Sequence, residues 1–222
     1  MAKHKLQRFA EIETFENVLQ PRMTFPLIDH EMKGKWNEIF FKNNNPIVLE
    51  LGCGRGEYTV NLAQQYPDKN FIGIDIKGAR LWRGAKTAIE NHLKNVGFLR
   101  LQIDKIELFF APSEVSEIWI TFPDPQPQVS RERKRLTSPN YLDRYKNILS
   151  PEGMIHLKTD NAGLFAYTEE VLKENQYAVF QCTHDLYQSD ILNDILKIKT
   201  TYEQMYLKKG VPINYMNFSI SQ

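Results

Sequence analysis

Carboxylate side chains recur along the chain at comparable places, each at or just after the end of a short apolar run. The five residues are Glu50, Asp75, Asp104, Asp124 and Asp160. An ionised carboxylate only accepts hydrogen bonds, so a group of them suits a ligand with hydroxyl and amine donors or a positive charge. The recurrence therefore predicts one binding site for such a ligand, provided that the fold brings the apolar runs together.

Strands and helices in alternation would position these carboxylates. Apolar runs rich in β-branched residues predict strands over 46–51, 70–76, 96–103, 115–122 and 154–159, with two further strands over 177–183 and 213–220. Helices are predicted over 29–42, 57–66, 77–94, 139–149 and 162–175, and residues 1–28 are predicted to be irregular. The alternation indicates an α/β fold with a mostly parallel sheet, whose ligands bind at the carboxyl ends of the strands.

Three glycines follow the first predicted strand, in the sequence Glu50-Leu-Gly-Cys-Gly-Arg-Gly-Glu57. Their spacing is one residue shorter than the dinucleotide pattern, and Glu50 suits a cationic amino-acid group better than a pyrophosphate. Asp75 is placed to accept from ribose hydroxyls and Asp104 from an adenine amine. Together with Gly52 and Gly54, these residues predict a site for S-adenosylmethionine. The alternative is an ordinary glycine-rich turn between a strand and a helix.

A proline-rich loop follows the fourth predicted strand, with the sequence Thr121-Phe-Pro-Asp-Pro-Gln-Pro-Gln128. Proline fixes the backbone, so Asp124 would be held rigidly against a substrate. Directly after the loop comes a basic cluster made of Arg131, Arg133, Lys134 and Arg135. Beside a catalytic pocket, such a cluster could bind the phosphate backbone of a nucleic acid. The alternative for the cluster is a solvated run of charges.

The composition excludes several classes of protein. The 222 residues include 28 Lys and Arg and 27 Asp and Glu, and the net charge of +1 excludes binding of polyanions through bulk charge. The two cysteines form no CxxC pair and the five histidines have no ligand spacing, so no metal site is expected. Because the N-terminus has no apolar signal core and no apolar run reaches the roughly 18 residues of a membrane span, we expect a cytoplasmic protein.

With these motifs the chain resembles the bacterial tRNA (guanine-N7)-methyltransferases, which modify guanine 46 in the tRNA variable loop. The resemblance begins at Arg8–Asn17 and covers most of the chain. The glycine motif is common to all class I methyltransferases. The family-specific stretches are Phe122-Pro-Asp-Pro125 with its basic tail, Leu157-Lys-Thr-Asp160 and Thr200-Thr-Tyr-Glu203. The resemblance implies a class I Rossmann-like sheet of seven strands, mostly parallel with an antiparallel C-terminal strand, and helices on both faces.

The resemblance also implies a role for each candidate residue. Those expected to bind S-adenosylmethionine are Glu50, Gly52, Gly54, Asp75, Asp104 and Asp124, with Asp124 also the catalytic residue. Those expected to contact the substrate guanosine are Gln128, Asp160, Thr200 and Glu203, while the basic cluster at 131–135 would bind the tRNA backbone. The implied reaction moves a methyl group to guanine N7 by in-line displacement. We expect carboxylates to orient the guanine.

The sequence departs from the family pattern in the proline-rich loop. The family has tryptophan and lysine where this chain has Gln126 and Gln128. An amide can donate a hydrogen bond but brings no charge, so Arg131 or Arg133 is a candidate to supply the missing positive charge.

We expect a single domain over residues 1–222, in which 1–28 is an N-terminal extension whose order the sequence leaves open. Two other functions are weighed against the tRNA methyltransferase. A class I methyltransferase acting on a protein or small molecule would have no use for the basic cluster. A tRNA-binding module without catalysis would not need the carboxylates and glycines of the cofactor site.

Overall fold

A computed structural model describes residues 2–23 and 25–221 of the chain. Its centre is an eight-stranded sheet with the order β1-β4-β3-β2-β5-β6-β8-β7. The strands are β1 (Val18–Leu19), β2 (Ile47–Leu51), β3 (Asn70–Asp75), β4 (Val96–Arg100), β5 (Val115–Thr121), β6 (Leu149–Thr159), β7 (Ala178–Thr183) and β8 (Asn214–Ser219). In the described chain β8 runs antiparallel to both neighbours, and every other pairing is parallel. The predicted fold class is confirmed, with β1 as an additional short strand.

In the described residues, six α-helices pack around the sheet. They are α1 (Ala2–Ile12), α2 (Glu57–Gln65), α3 (Gly78–Glu90), α4 (Pro139–Lys146), α5 (Ala162–Glu174) and α6 (Thr201–Lys208). Short 3₁₀ turns at Ile103–Leu108, Val129–Lys134 and Leu186–Gln188 complete the connections.

The sheet separates two apolar cores. Every residue of β2 and β3 is buried, as expected for parallel strands covered on both faces. One core contains side chains of α1, α2 and α3 together with Leu196 and Ile198 of the C-terminal segment. The other contains side chains of α4 and α5 with Trp36 and Phe110. Helices α2 and α3 therefore lie on one face of the sheet, and α4 and α5 lie on the other.

Two predictions near the N-terminus are wrong. Residues 1–28 were expected to be irregular, yet the described part contains α1 and β1. Helix α1 docks on α3, since Glu11 accepts hydrogen bonds from Trp82 Nε1 and Lys86 Nζ, both at 2.8 Å, and Ile12 is buried. Such tertiary contacts stabilise α1, whose 11 residues are too few for a stable helix in isolation. Residues 29–42 were expected to be one helix, but the regular part is a π-helical turn at Trp36–Phe41.

Close contact between α3 and the glycine loop depends on Gly84. A Cβ atom at this position would lie 2.6 Å from the Arg55 carbonyl oxygen and 2.7 Å from Phe98 Cζ. Gly84 thus lets the helix pack directly against the backbone of the loop that follows β2.

We therefore expect Gly84→Ala to destabilise the protein by about 1–3 kcal/mol, because the added methyl must displace backbone. Alanine normally stabilises a helix by about 1 kcal/mol relative to glycine. Gly163→Ala on α5 is the matched control, since its Cβ would have no neighbour nearer than 3.4 Å. Urea unfolding measures both variants, and equal stability of the two would contradict the packing argument.

Candidate functional site

Two cavities open at the carboxyl ends of the parallel strands and meet there. The first, here called the Glu50 cavity, has a volume of about 410 Å³, and the second, the Asp104 cavity, about 630 Å³. Both are lined by Gly52, Phe122, Pro123 and Asp124. A ligand that bridges the two cavities would pass beside these shared residues.

The carboxylate of Glu50 is buried at the end of β2. Its Oε2 accepts hydrogen bonds from the backbone N–H of Thr59, at 2.8 Å, and from the Thr59 hydroxyl. Its Oε1 accepts from the Thr121 hydroxyl at 2.5 Å. Burial raises the pKa of Glu50 to about 7, against the opposing effect of these hydrogen bonds. A cationic ligand group would favour the ionised form of this carboxylate.

Asp75 fixes the shape of the glycine loop. Its Oδ2 accepts from the backbone N–H of Gly54 at 3.0 Å, and its Oδ1 accepts from that of Lys77 at 2.7 Å. Gly52 and Gly54 have φ angles of 73° and 55°, a region that favours glycine. The two glycines and the carboxylate therefore form one preorganised unit between β2 and β3.

Asp104 lies on the 3₁₀ turn that follows β4 and lines the second cavity. The same wall carries the apolar residues Leu101 and Ile103 beside the polar Gln102. Apolar side chains next to acceptors suit a flat heterocycle with an exocyclic amine. With the Glu50 carboxylate in the adjoining cavity, the described residues fit S-adenosylmethionine.

Asp124 is exposed on the wall shared by both cavities. The residues around it are held in unusual backbone conformations, since Phe122 and Gln126 have φ angles of 49° and 45°. Asp124 Oδ1 accepts from the backbone N–H of Gln126 at 3.1 Å, and Arg135 Nε donates to the Gln126 carbonyl at 3.3 Å. These two hydrogen bonds hold the loop in the conformation that presents Asp124 on the shared wall.

Gln128 is placed differently from the expectation. It is exposed, lines neither cavity, and immediately precedes the 3₁₀ turn Val129–Lys134. In the basic cluster, Arg131, Arg133 and Lys134 are exposed, and Lys134 reaches the wall of the Asp104 cavity.

Asp160 and Thr200 both line the Glu50 cavity, as expected for substrate contacts. Tyr206 donates a hydrogen bond to Asp160, and partial burial raises the pKa of this carboxyl above its usual value. Thr200 caps α6, because its hydroxyl accepts from the backbone N–H of Glu203 at 3.1 Å. The sequence did not single out Tyr206, whose type and spacing resemble those of an ordinary surface residue.

Glu203 departs most from its predicted role. It is fully buried and lines neither cavity. Its Oε1 lies 2.7 Å from Lys158 Nζ and accepts from the Tyr187 hydroxyl at 2.7 Å. Lys158 Nζ also donates to the carbonyls of Leu196 and Ile198, at 2.8 and 3.0 Å. The pair therefore anchors the C-terminal segment on β6, and the side chain of Glu203 lines neither cavity.

A second anchor joins the C-terminal segment to the glycine loop. The first residue of α2, Glu57, accepts from the backbone N–H of Thr201 at 2.6 Å and from its hydroxyl at 2.5 Å. The start of α6, where Thr200 is the N-cap, is thus joined by hydrogen bonds to α2, the helix that follows the glycine loop.

Known proteins share the sequence and the fold. A family model described as "Putative methyltransferase" matches residues 44–216. The tRNA (guanine-N(7)-)-methyltransferase of Christiangramia forsetii is 54% identical over 222 residues, which cover 99% of each chain. That of Bacteroides thetaiotaomicron is 50% identical over 223 residues, covering 100% of this chain and 88% of the relative. The chain belongs to the tRNA (guanine-N7)-methyltransferase family.

Solved structures support the fold alone, because their sequences are distant. The 16S rRNA methyltransferase KamB superposes with a TM-score of 0.66 at 16% identity, covering 87% of this chain and 96% of that one. A SAM-dependent methyltransferase from Aquifex aeolicus gives a TM-score of 0.53 at 14% identity, covering 84% and 93%.

Membership of the family confirms the predicted enzyme class, a methyltransferase that uses S-adenosylmethionine. Among the described residues, no helix is long and apolar enough to cross a membrane. Within residues 2–23 and 25–221, no group of three or more potential ligand side chains could hold a metal ion.

The raised pKa of Glu50 predicts pH-dependent cofactor binding. Below pH 7 the carboxyl is mostly protonated and loses its attraction for a cationic ligand, so the Kd for S-adenosylmethionine should rise about tenfold from pH 8 to pH 6. Isothermal titration measures this change, and Glu50→Gln is the control that should lose this contribution. The same pH dependence in both proteins would contradict the assignment.

Breaking the buried Lys158–Glu203 pair should lower the free energy of unfolding far more than breaking an exposed pair. Lys158→Met should destabilise the protein by about 3–5 kcal/mol, because it leaves the Glu203 carboxylate buried without its partner. Lys158→Met combined with Glu203→Gln should recover much of this loss. The exposed pair of Lys197 with Asp194 offers the control Lys197→Met, with an expected loss below about 1 kcal/mol. Similar urea midpoints for Lys158→Met and Lys197→Met would contradict the role of the buried pair as an anchor.

Proposed function

We propose that this chain transfers the methyl group of S-adenosylmethionine to N7 of a guanine in tRNA, with guanine 46 of the variable loop as the target. The observation that carries the proposal is the position of Asp124 on the wall common to the Glu50 and Asp104 cavities. A donor and an acceptor held in adjoining cavities would meet beside that carboxylate.

The described residues divide into a cofactor set and a substrate set. Glu50, Gly52, Gly54, Asp75 and Asp104 would hold S-adenosylmethionine along the ends of β2, β3 and β4. Asp160 and Thr200, which follow β6 and cap α6, would face the guanine. Asp124 belongs to both sets.

Little acid–base chemistry is required of the protein. Guanine N7 has a lone pair and no proton, so it needs no general base. When bound, S-adenosylmethionine supplies a methyl group already activated by the sulfonium. The task left to the chain is to hold the guanine with N7 aligned for in-line displacement.

Asp124 and Asp160 can perform this alignment. Their carboxylates can accept hydrogen bonds from guanine N1–H and the exocyclic amine, which turns N7 toward the donor. Their negative charge also stabilises the positive charge that develops on the ring. Glu203, expected as a third acceptor, is part of the buried anchor. Its backbone N–H donates to the Thr200 hydroxyl and its carboxylate pairs with Lys158.

The basic cluster supplies the contact with the nucleic acid. Arg131, Arg133 and Lys134 are exposed next to the loop that carries Asp124, where they can neutralise backbone phosphates. Lys134 of the basic cluster lines the Asp104 cavity, whereas Gln128 lines neither cavity and carries no charge, so the cluster can bring the positive charge that Gln128 cannot.

The proposal is tested with labelled S-adenosylmethionine and a tRNA transcript without modifications, followed by identification of the methylated base. We expect one N7-methylguanine at position 46 and no label when that guanine is replaced by adenine. Binding should weaken steeply between about 50 and 200 mM salt. Label in a protein or small molecule, with binding insensitive to salt, would contradict the tRNA substrate.

Asp124→Ala should lower kcat by about 100-fold or more, because alignment and charge stabilisation are both lost. The Kd for S-adenosylmethionine, measured by titration, should change far less than kcat. Asp143→Ala on α4 is the control, since Asp143 is exposed and lines neither cavity. Turnover of Asp124→Ala close to that of the unaltered enzyme would exclude the catalytic role.

A further inference from the structure

A second group of cations lies at the mouth of the site, away from the basic cluster. Arg55 in the glycine loop and Lys77 and Arg80 at the start of α3, here called the α2–α3 rim, are all exposed. All three line the Glu50 cavity, and Lys77 and Arg80 also line the Asp104 cavity. The rim thus follows β2 and β3, whereas the basic cluster follows β5.

The cations of the rim are not paired with any carboxylate among the described residues. Within the part of the chain that the structure describes, the three rim side chains form no ion pair, hydrogen bond or ring contact. Other cations nearby are paired: Lys105 contacts Asp104 at 3.2 Å and Arg144 contacts Glu107 at 2.5 Å. Three unpaired cations at a cavity mouth create a local positive potential that attracts an anion.

The helices next to the rim and to the basic cluster pack on opposite faces of the sheet. Side chains of α2 and α3 pack in one core, and those of α4, which follows the basic cluster, pack in the other. The carboxylates Glu50, Asp124 and Asp160 lie between them at the edge of the sheet. Positive charge therefore flanks an acidic pocket on both sides.

We infer that the α2–α3 rim is a second phosphate-binding surface, which holds the RNA backbone on the side of the target nucleotide opposite to the basic cluster. This inference rests on the proposed function. A nucleotide whose base enters the pocket has a phosphate on either side of its sugar, so the backbone must cross the mouth. The rim and the basic cluster would each bind one of the two phosphates that flank the target nucleotide. The base alone would enter the pocket lined by carboxylates.

The rim could also bind a different anion, the carboxylate of the amino-acid part of S-adenosylmethionine. Three exposed cations exceed what one carboxylate requires, and Lys77 and Arg80 extend along both cavities, which favours a polyanionic backbone. The experiment separates these two sources of negative charge.

The test uses the full chain with Lys77→Gln and Arg80→Gln combined, which removes two charges and leaves Arg55 in the glycine loop intact. The matched control combines Lys94→Gln and Lys173→Gln, since both lysines are exposed and precede strands, at the end of the sheet away from the site. A further variant, Lys77→Arg with Arg80→Lys, keeps the charge. Fluorescence anisotropy gives the Kd of an unmodified tRNA transcript from 50 to 200 mM salt, and calorimetry gives the Kd of S-adenosylhomocysteine.

The rim variant should bind tRNA about tenfold or more weakly at low salt. Its slope of log K against log salt should be shallower by about 1 to 2, since each lost phosphate contact contributes about 0.7 to 0.9. The control and the charge-preserving variant should match the unaltered protein, and the Kd of S-adenosylhomocysteine should not change.

Two results would overturn the inference while leaving the proposed function in place. One is an unchanged tRNA affinity and salt slope in the rim variant. The other is weaker binding of S-adenosylhomocysteine with an unchanged tRNA slope, which would assign the rim to the cofactor carboxylate. Failure of the unaltered protein to bind and methylate tRNA would instead overturn the proposed function.

Discussion

The buried carboxylate of Glu50 connects the elements on which the site is built. Through Thr59 it holds the first turn of α2, and through Thr121 it holds the end of β5, where the loop of Asp124 begins. Asp75 extends this connection to β3 by holding the backbone of Gly54. Because the carboxyl group is both buried and hydrogen-bonded, it fixes the geometry and also provides negative charge that a cationic cofactor favours.

The opposite wall of the site is held by a buried ion pair that lines neither cavity and by a hydrogen-bonded link through Glu57, which lines the Glu50 cavity. Lys158 and Glu203 form a buried pair that fastens the segment before α6 to the sheet. Glu57 joins the start of α6 to the start of α2. A buried ion pair adds little net stability over apolar packing, but it fixes one geometry strongly because a lone buried charge is costly. The position of Thr200 beside the Glu50 cavity therefore depends on the buried Lys158–Glu203 pair and on Glu57.

Much of the site could be predicted from the sequence because it follows from strand ends. The carboxylates at or after the carboxyl ends of β2, β3, β4, β5 and β6 could be identified because the ends of parallel strands share one edge. The resemblance placed Thr200 and Glu203 in one motif, but a motif does not tell whether a side chain points to a cavity or to the core, and here Thr200 lines the Glu50 cavity while Glu203 is buried. The rim residues come from two separate places in the sequence, Arg55 in the glycine loop and Lys77 and Arg80 at the start of α3, so only the folded chain reveals them as a group.

The net charge of +1 conceals two local fields of opposite sign, the carboxylates in the pocket and the cations around its mouth.

The central claim is that carboxylates orient the guanine through N1–H and the exocyclic amine. The most direct measurement compares kcat/KM for tRNA with guanine and with inosine at the target position, since inosine keeps N7 and N1–H but lacks the amine. Loss of one hydrogen bond to a carboxylate, about 1.5–3 kcal/mol, predicts a 10- to 150-fold lower kcat/KM for inosine. Equal values for the two substrates would contradict the account.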